Sequence, residues 1–137
     1  MSHIHTSFTN IQTKFGRNIF NYTPDEQRCE IVKVLDKFIA VPLVLMEPDN
    51  QRKLLYGKAG AFRPKPYGLE YRVPSSFILQ SDELLKWIFE ATVNAFEFIK
   101  VHGFLPKELS AKIRNIVDNN DRIEADKFVK EFSLKLA

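Results

Sequence analysis

Between Gln51 and Ser75 the chain collects six basic residues, Arg52, Lys53, Lys58, Arg63, Lys65 and Arg72, against one acid, Glu70. Gly57, Gly60, Gly68, Pro64 and Pro66 stand among them. Glycine lets backbone N–H groups come close to a ligand. Arginine offers a planar, two-pronged donor for phosphate, and lysine a compact charge. Proline lowers the entropy lost when a loop is ordered. Together these residue types suit the binding of an anion, phosphate above all. Glu70 and Arg72 are two apart in an alternating segment, so on a strand both side chains point to one face. A carboxylate beside an arginine matches a magnesium–phosphate site, where the acid meets the metal and the arginine meets the phosphate. Two other readings stay open on composition. One is a solvated basic hairpin with an intrastrand ion pair. The other is a nucleic-acid surface, with the basic residues interleaved by Tyr56, Phe62, Tyr67 and Tyr71. Upstream, His3 and His5 would share one side of a strand and could meet a metal or a phosphate, or else belong to a frayed terminus.

Several elements must position these residues. Ile4, with its flanking histidines, reads as a short strand, and Phe8, Ile11 and Phe15 recur at helical spacing. Thr23-Pro24-Asp25-Glu26 is a helix start with a cap, a first-position proline and a capping box. That helix is expected to run to about Ile39, with Ile31, Val34, Leu35 and Phe38 inward. Val41 to Glu47 reads as a strand, with Pro42 placing it at an edge or marking the strand's start, and Arg52 to Tyr56 as its hairpin partner across Pro48-Asp49-Asn50. Gly57 to Gly68 reads as a loop, Leu69 to Val73 as a strand and Ser75 to Gln80 as another short one.

Ser81 caps a long helix from about Asp82 to His102, stopped by Gly103. Its apolar residues cover most of the circumference, so burial on most sides is expected. Pro106 opens a further helix with Leu109, Ile113, Ile116 and Val117 inward. Asp121 and Glu124 form a second capping box, and a last helix is expected to bury Ile123, Phe128, Phe132 and Leu136. The pattern predicts an α+β fold: a small antiparallel sheet of three to five strands packed by helices, with a C-terminal helical subdomain. Two units are expected, an α+β domain over residues 1–103 and a helical hairpin over 104–137 packed on it.

A chain of 137 residues suits one core. The net charge of +3 says little in total; residues 76–137 hold nine basic and ten acidic side chains, so the positive charge is local. A local patch favours a specific anionic ligand over diffuse attraction to a polymer. The single cysteine, Cys29, excludes an intrachain disulfide and reads as a buried or half-buried helix residue. The longest apolar run, Phe38 to Met46, is too short to span a bilayer, and a cytoplasmic protein is expected.

The segment Arg52-Lys53-Leu54-Leu55-Tyr56-Gly57-Lys58-Ala59-Gly60, then Phe62-Arg63-Pro64-Lys65-Pro66-Tyr67-Gly68-Leu69-Glu70-Tyr71-Arg72, resembles the phage-associated phiEco32-like COOH.NH2 ligase type 2 family. His3-Ile4-His5 is similar to that family's upstream H-x-H strand. The resemblance covers roughly residues 2–100 and corresponds to the C-terminal half of a carboxylate–amine ligase with a glutamine-synthetase-like fold. It implies activation of a carboxylate by ATP as an acyl phosphate, followed by attack of an amine. On that basis Glu70 would bind Mg²⁺ and Arg72 phosphate. Arg63 and Lys65 would meet phosphate or the acyl phosphate, which gives Arg63 and Arg72 catalytic roles. Arg52 and Lys58 would be further ligand contacts, and His3 or His5 would lie near nucleotide or metal. The expected partners are a small-molecule or peptide carboxylate and an amine. The family's upstream half, with most of its metal-binding acids, is expected from a separate chain, from a second copy or from a longer gene of which this sequence is a fragment. The alternative is a catalytically inactive remnant serving as a protein-interaction or nucleic-acid-binding module, nucleic acid being the weaker reading beside this motif. The end of the motif departs from the family pattern at Ser75-Ser76-Phe77-Ile78.

Overall fold

Proline at the first position of a helix loses no hydrogen bond, and acids in the first turn complement the helix dipole. Pro24, Asp25 and Glu26 supply both, and helix α1 runs over Pro24–Leu35. In the computed structural model, which describes residues 4–7, 24–47, 58–65, 68–72, 74 and 79–137, this helix does not end near Ile39. It passes into a π-helical turn, Asp36–Ala40, and then into a second helix, α2, Val41–Met46. The expected strand over Val41–Glu47 is therefore corrected to a helix. Pro42 explains the wide turn. It has no N–H, and in a regular helix its ring would collide with the carbonyl four residues back. The wide turn, in which the Val41 N–H reaches Asp36 O, accommodates it. A run buried all round, as Ile39, Ala40, Val41, Leu43 and Val44 are, carries no periodicity to tell strand from helix.

Strand β1 is Ile4–Ser7, β2 is Phe62–Lys65 and β3 is Gly68–Tyr71. They form an antiparallel sheet in the order β1-β3-β2. The fold class is α+β, as expected. Strand β2 lies inside the stretch expected to be loop, and its Pro64 sits on an edge strand, where a missing N–H costs no ladder bond. The expected strand at Arg52–Tyr56, the turn before it and the helical turn at Phe8–Phe15 lie outside the described residues, as do residues 75–78. Leu79 and Gln80 are not in a strand.

Three helices follow: α3 at Asp82–His102, α4 at Lys107–Asp118 and α5 at Arg122–Glu131. Ser81 caps α3 by accepting from Leu84 N–H, and Gly103 ends it at φ +78°. Asp121 caps α5 in the same way through Glu124 N–H. The rod made by α1, the π turn and α2 is central: α3 and α4 pack against its π turn, and α5 packs against α2. Arg122 donates to Leu45 O at 2.8 Å, satisfying a carbonyl at the C-terminus of α2. The α3 core stripe is Leu84, Trp87, Ile88, Ala91, Ala95 and Ile99. Burial of α3 on most sides is not found: Leu85, Phe89 and Val93 are exposed. Ile123 at 72% and Leu136 at 44% are also exposed, against expectation, because α5 turns Ala125, Phe128 and Val129 inward and stops at Glu131. Cys29 is exposed too, since α1 buries Ile31, Val32, Val34 and Leu35 instead.

One of the buried charges sits among aromatic rings. Lys37, only 5% exposed, holds its ammonium 4.2 Å from the Phe98 ring centre and 4.5 Å from that of Phe132. The aromatic faces partly replace water around the cation. Burial pushes its pKa below the usual lysine value.

Candidate functional site

Strand β3 has two faces with different tasks. Leu69 and Tyr71 point into the core and are wholly buried. By the alternation of a strand, Glu70 faces the other way, and Arg72 follows on the same side. Register adds to that face: Arg63 of β2 stands opposite Glu70, and Lys65 is two residues further along β2. The Glu70 carboxylate lies 3.4 Å from Lys65 Nζ and 3.9 Å from Arg72 Nη1. Its side chain is 4% exposed, while those of Lys65 and Arg72 are 28% and 24% exposed. A buried carboxylate is thus flanked by two cations that still reach solvent. Burying a charge is expensive unless it is paired, and these two ion pairs offset part of that cost.

The other expected site residues distribute as follows. Arg63 is exposed beside Glu70 and pairs with no carboxylate among the described residues. On the far side of β3, the backbone of His5 is in register with Glu70. Lys58 is exposed at the start of a turn that Ala61 N–H closes on Lys58 O at 3.2 Å. His3 and Arg52 lie outside the described residues. The structure therefore brings together Arg63, Lys65, Glu70 and Arg72, with His5 placed opposite by register.

The turn at 58–61 does not present its amides to a ligand. The Ala59 N–H donates to Asp118 Oδ1 at 2.7 Å and the Gly60 N–H to Asp36 Oδ2 at 2.7 Å. Two of the protein's own carboxylates thus occupy the amides that the glycine-rich sequence suggested for phosphate. Gly60 is still required for its backbone, because φ is +79°, a region that side chains disfavour. Arg72 N–H then donates to Ala61 O at 2.9 Å, which couples the turn to the end of β3.

Asp36 also accepts from the Tyr71 hydroxyl at 2.5 Å. Tyr71 is wholly buried, and burial, the nearby Asp36 charge and this hydrogen bond together raise the phenol pKa well above its ordinary value. A third support is Arg28, whose guanidinium donates to Gly68 O at 2.9 Å and Lys65 O at 3.1 Å. It holds the adjoining ends of β2 and β3 together from α1. Sequence reasoning missed Arg28, Asp36 and Asp118. Asp36 had a signal, the single acid in the mainly apolar stretch from Ile31 to Met46. Arg28 and Asp118 lie on ordinary amphipathic helices and had none.

The described residues contain no group of three or more His, Cys, Asp or Glu side chains that could hold a metal alone. No described helix is long and apolar enough to cross a membrane. The molecule is thus an α+β protein whose small sheet carries an acid between two cations on its outer face. It belongs to the phage phiEco32-like COOH.NH2 ligase-type 2 family, whose model matches residues 3–103. That family implies a ligase-type function joining a carboxyl group to an amine. No curated protein and no solved structure matches the chain.

Proposed function

We propose that the outer face of the sheet is the phosphate-binding part of an ATP-dependent carboxylate–amine ligase. The observation that carries this reading is Glu70, held between Lys65 and Arg72 on the face of β3 opposite the core. The residues fit the phosphate end of a magnesium nucleotide. Magnesium is usually held by one or two protein carboxylates, with substrate phosphates and water completing its shell. Glu70 would give one such oxygen. Arg72, with its planar fork, and Lys65 would turn from Glu70 to phosphate oxygens, and exposed Arg63 would approach from the rim.

Bound Mg-ATP supplies the phosphoryl group and neutralises its charge. The substrate carboxylate oxygen attacks the terminal phosphorus, and ADP leaves with the electrons of the broken P–O bond. The amine nitrogen then attacks the acyl carbon, inorganic phosphate departs, and the nitrogen gives up a proton. Throughout, Arg63, Lys65 and Arg72 offset negative charge on the transferred group, the main electrostatic need of phosphoryl transfer. The carboxylate is that of a small molecule or peptide.

Titration calorimetry with Mg-ATP tests this. Heat of binding is expected for the wild-type chain, with Arg72→Ala weakening affinity at least about tenfold, or about 1.4 kcal/mol. No heat from the wild-type chain, or equal affinity in Arg72→Ala, refutes it.

A further inference from the structure

A second cationic recess lies away from the sheet face. It has a volume of about 240 Å³, with walls from α1, the 58–61 turn and α4. We propose that it binds a small oxyanion, the phosphate or carboxylate group of a small molecule, through Lys107, Ser110 and Arg114. These three residues lie beyond residue 103, the end of the family match, while Ala59 and Gly60 of the opposite wall belong to the motif.

Groups without a matching partner face this cavity. Lys107 and Arg114 pair with no carboxylate among the described residues. Ser110 lines the same recess, and its Oγ is buried without a hydrogen-bond partner. Leaving such a hydroxyl unmatched is unfavourable, and a ligand oxygen beside it would recover that cost. A third cation, Lys33, lines the wall but is paired with Glu30 at 2.8 Å. Asp36 is the carboxylate of the lining, and its oxygens accept from Tyr71 and from Gly60. Its charge is therefore already engaged by donors, while Lys107 and Arg114 are not.

Gly60 has a second role here. A Cβ at this position would stand 3.4 Å from Arg114 Nη2, so the guanidinium lies directly over the turn. Lys107 opens α4, and the positive end of that helix adds to the field. The recess is smaller than the roughly 300–1,000 Å³ of sites that enclose drug-sized ligands. It suits one anionic group rather than a whole nucleotide.

The test follows backbone amide shifts of Ser110 and Ala111 in the full chain during separate titrations with inorganic phosphate, acetate and chloride. Saturable shifts with phosphate or acetate are expected. The tighter of the two identifies a phosphoryl or a carboxylate ligand. Arg114→Ala and Lys107→Ala, both at exposed positions, are each expected to weaken saturation about tenfold with unchanged melting temperature. Arg72→Ala is expected to leave these shifts as they are, which separates this recess from the sheet site. No saturation, an equal response to chloride, or an undiminished response in Arg114→Ala overturns the proposal.

Discussion

Replacing Tyr71 by Phe removes one oxygen from the core and with it the 2.5 Å hydrogen bond to Asp36. A hydrogen bond to a charged group is worth about 1.5–3 kcal/mol when both partners are protected from water. Tyr71 is wholly buried and Asp36 is 2% exposed, so the expected loss is about 2 kcal/mol. That is a large share of the roughly 5–15 kcal/mol that holds a domain of this size together. Asp36→Leu should cost more, because it orphans both the phenol and the Gly60 N–H. The two substitutions should not add, since they remove the same bond; a coupling of about 1–2 kcal/mol is expected. Urea unfolding read by the fluorescence of Trp87, the single tryptophan, gives all four stabilities of the cycle. The pH dependence supplies a second check. The folded chain keeps the Tyr71 proton above pH 10, where the unfolded chain releases it, so stability falls as pH rises past the ordinary phenol value. Lys37 acts in the opposite sense. Its folded pKa is lowered, so stability rises with pH in the window below 10.5. Subtracting the Tyr71→Phe profile from the wild-type one cancels the Lys37 contribution and leaves a falling curve. A Tyr71→Phe protein within about 0.5 kcal/mol of wild type, or a flat difference curve above pH 10, refutes the assigned network.

Arg28→Ala should cost about 1–3 kcal/mol, because two strand carbonyls lose a charged donor, and it should accelerate amide exchange in β2. Gly60→Ala should cost about 1–3 kcal/mol in thermal unfolding, since φ is +79° and the added methyl meets Arg114. Lys37→Met should leave stability unchanged or raise it at neutral pH, as a flexible apolar chain of similar length fills the aromatic cage without desolvating a charge; a loss above about 2 kcal/mol would show that the cation–π contacts outweigh that cost.

The elements bounded by local chemistry were legible in the sequence. Ser81 and Gly103 mark the ends of α3, Asp121 marks the start of α5, and the alternation of Leu69, Glu70, Tyr71 and Arg72 sets the two faces of β3. Caps and alternation act over two to four residues, so the sequence displays them directly. The helical state of Val41–Met46 was not legible. Its burial comes from α4 and α5, far along the chain, and Pro42, which the wide turn accommodates, reads equally as the mark of an edge strand. Ile123 misled for a related reason. An apolar residue in a first turn was assigned to the core, yet the capped start of α5 leaves it facing water. The shared face of Glu70 and Arg72 could be read from alternation on one strand, whereas Lys65, expected in a loop, joins them through the pairing of β2 with β3. The links from Arg28 to Gly68 and from Asp118 to Ala59 could not, since they join residues 40 and 59 positions apart.

The glycines and lysines of the motif have turned out to serve different ends. A phosphate cradle made of amides needs free N–H groups, and Ala59 and Gly60 give theirs to Asp118 and Asp36. The turn is thereby tied to α4 and to the π turn, and through Ala61 it fixes the backbone of Arg72. Affinity for an anion at the sheet must then come from side-chain cations, and the two nearest are already facing Glu70. On the proposed function, an incoming phosphate would draw Lys65 and Arg72 away from that acid and weaken two of the ion pairs of a buried carboxylate. A divalent cation arriving with the phosphate removes the difficulty, because it takes over the carboxylate as the lysine and arginine let go. If the sheet face holds a magnesium nucleotide as proposed, charge balance around this buried acid favours nucleotide and metal binding together rather than in turn.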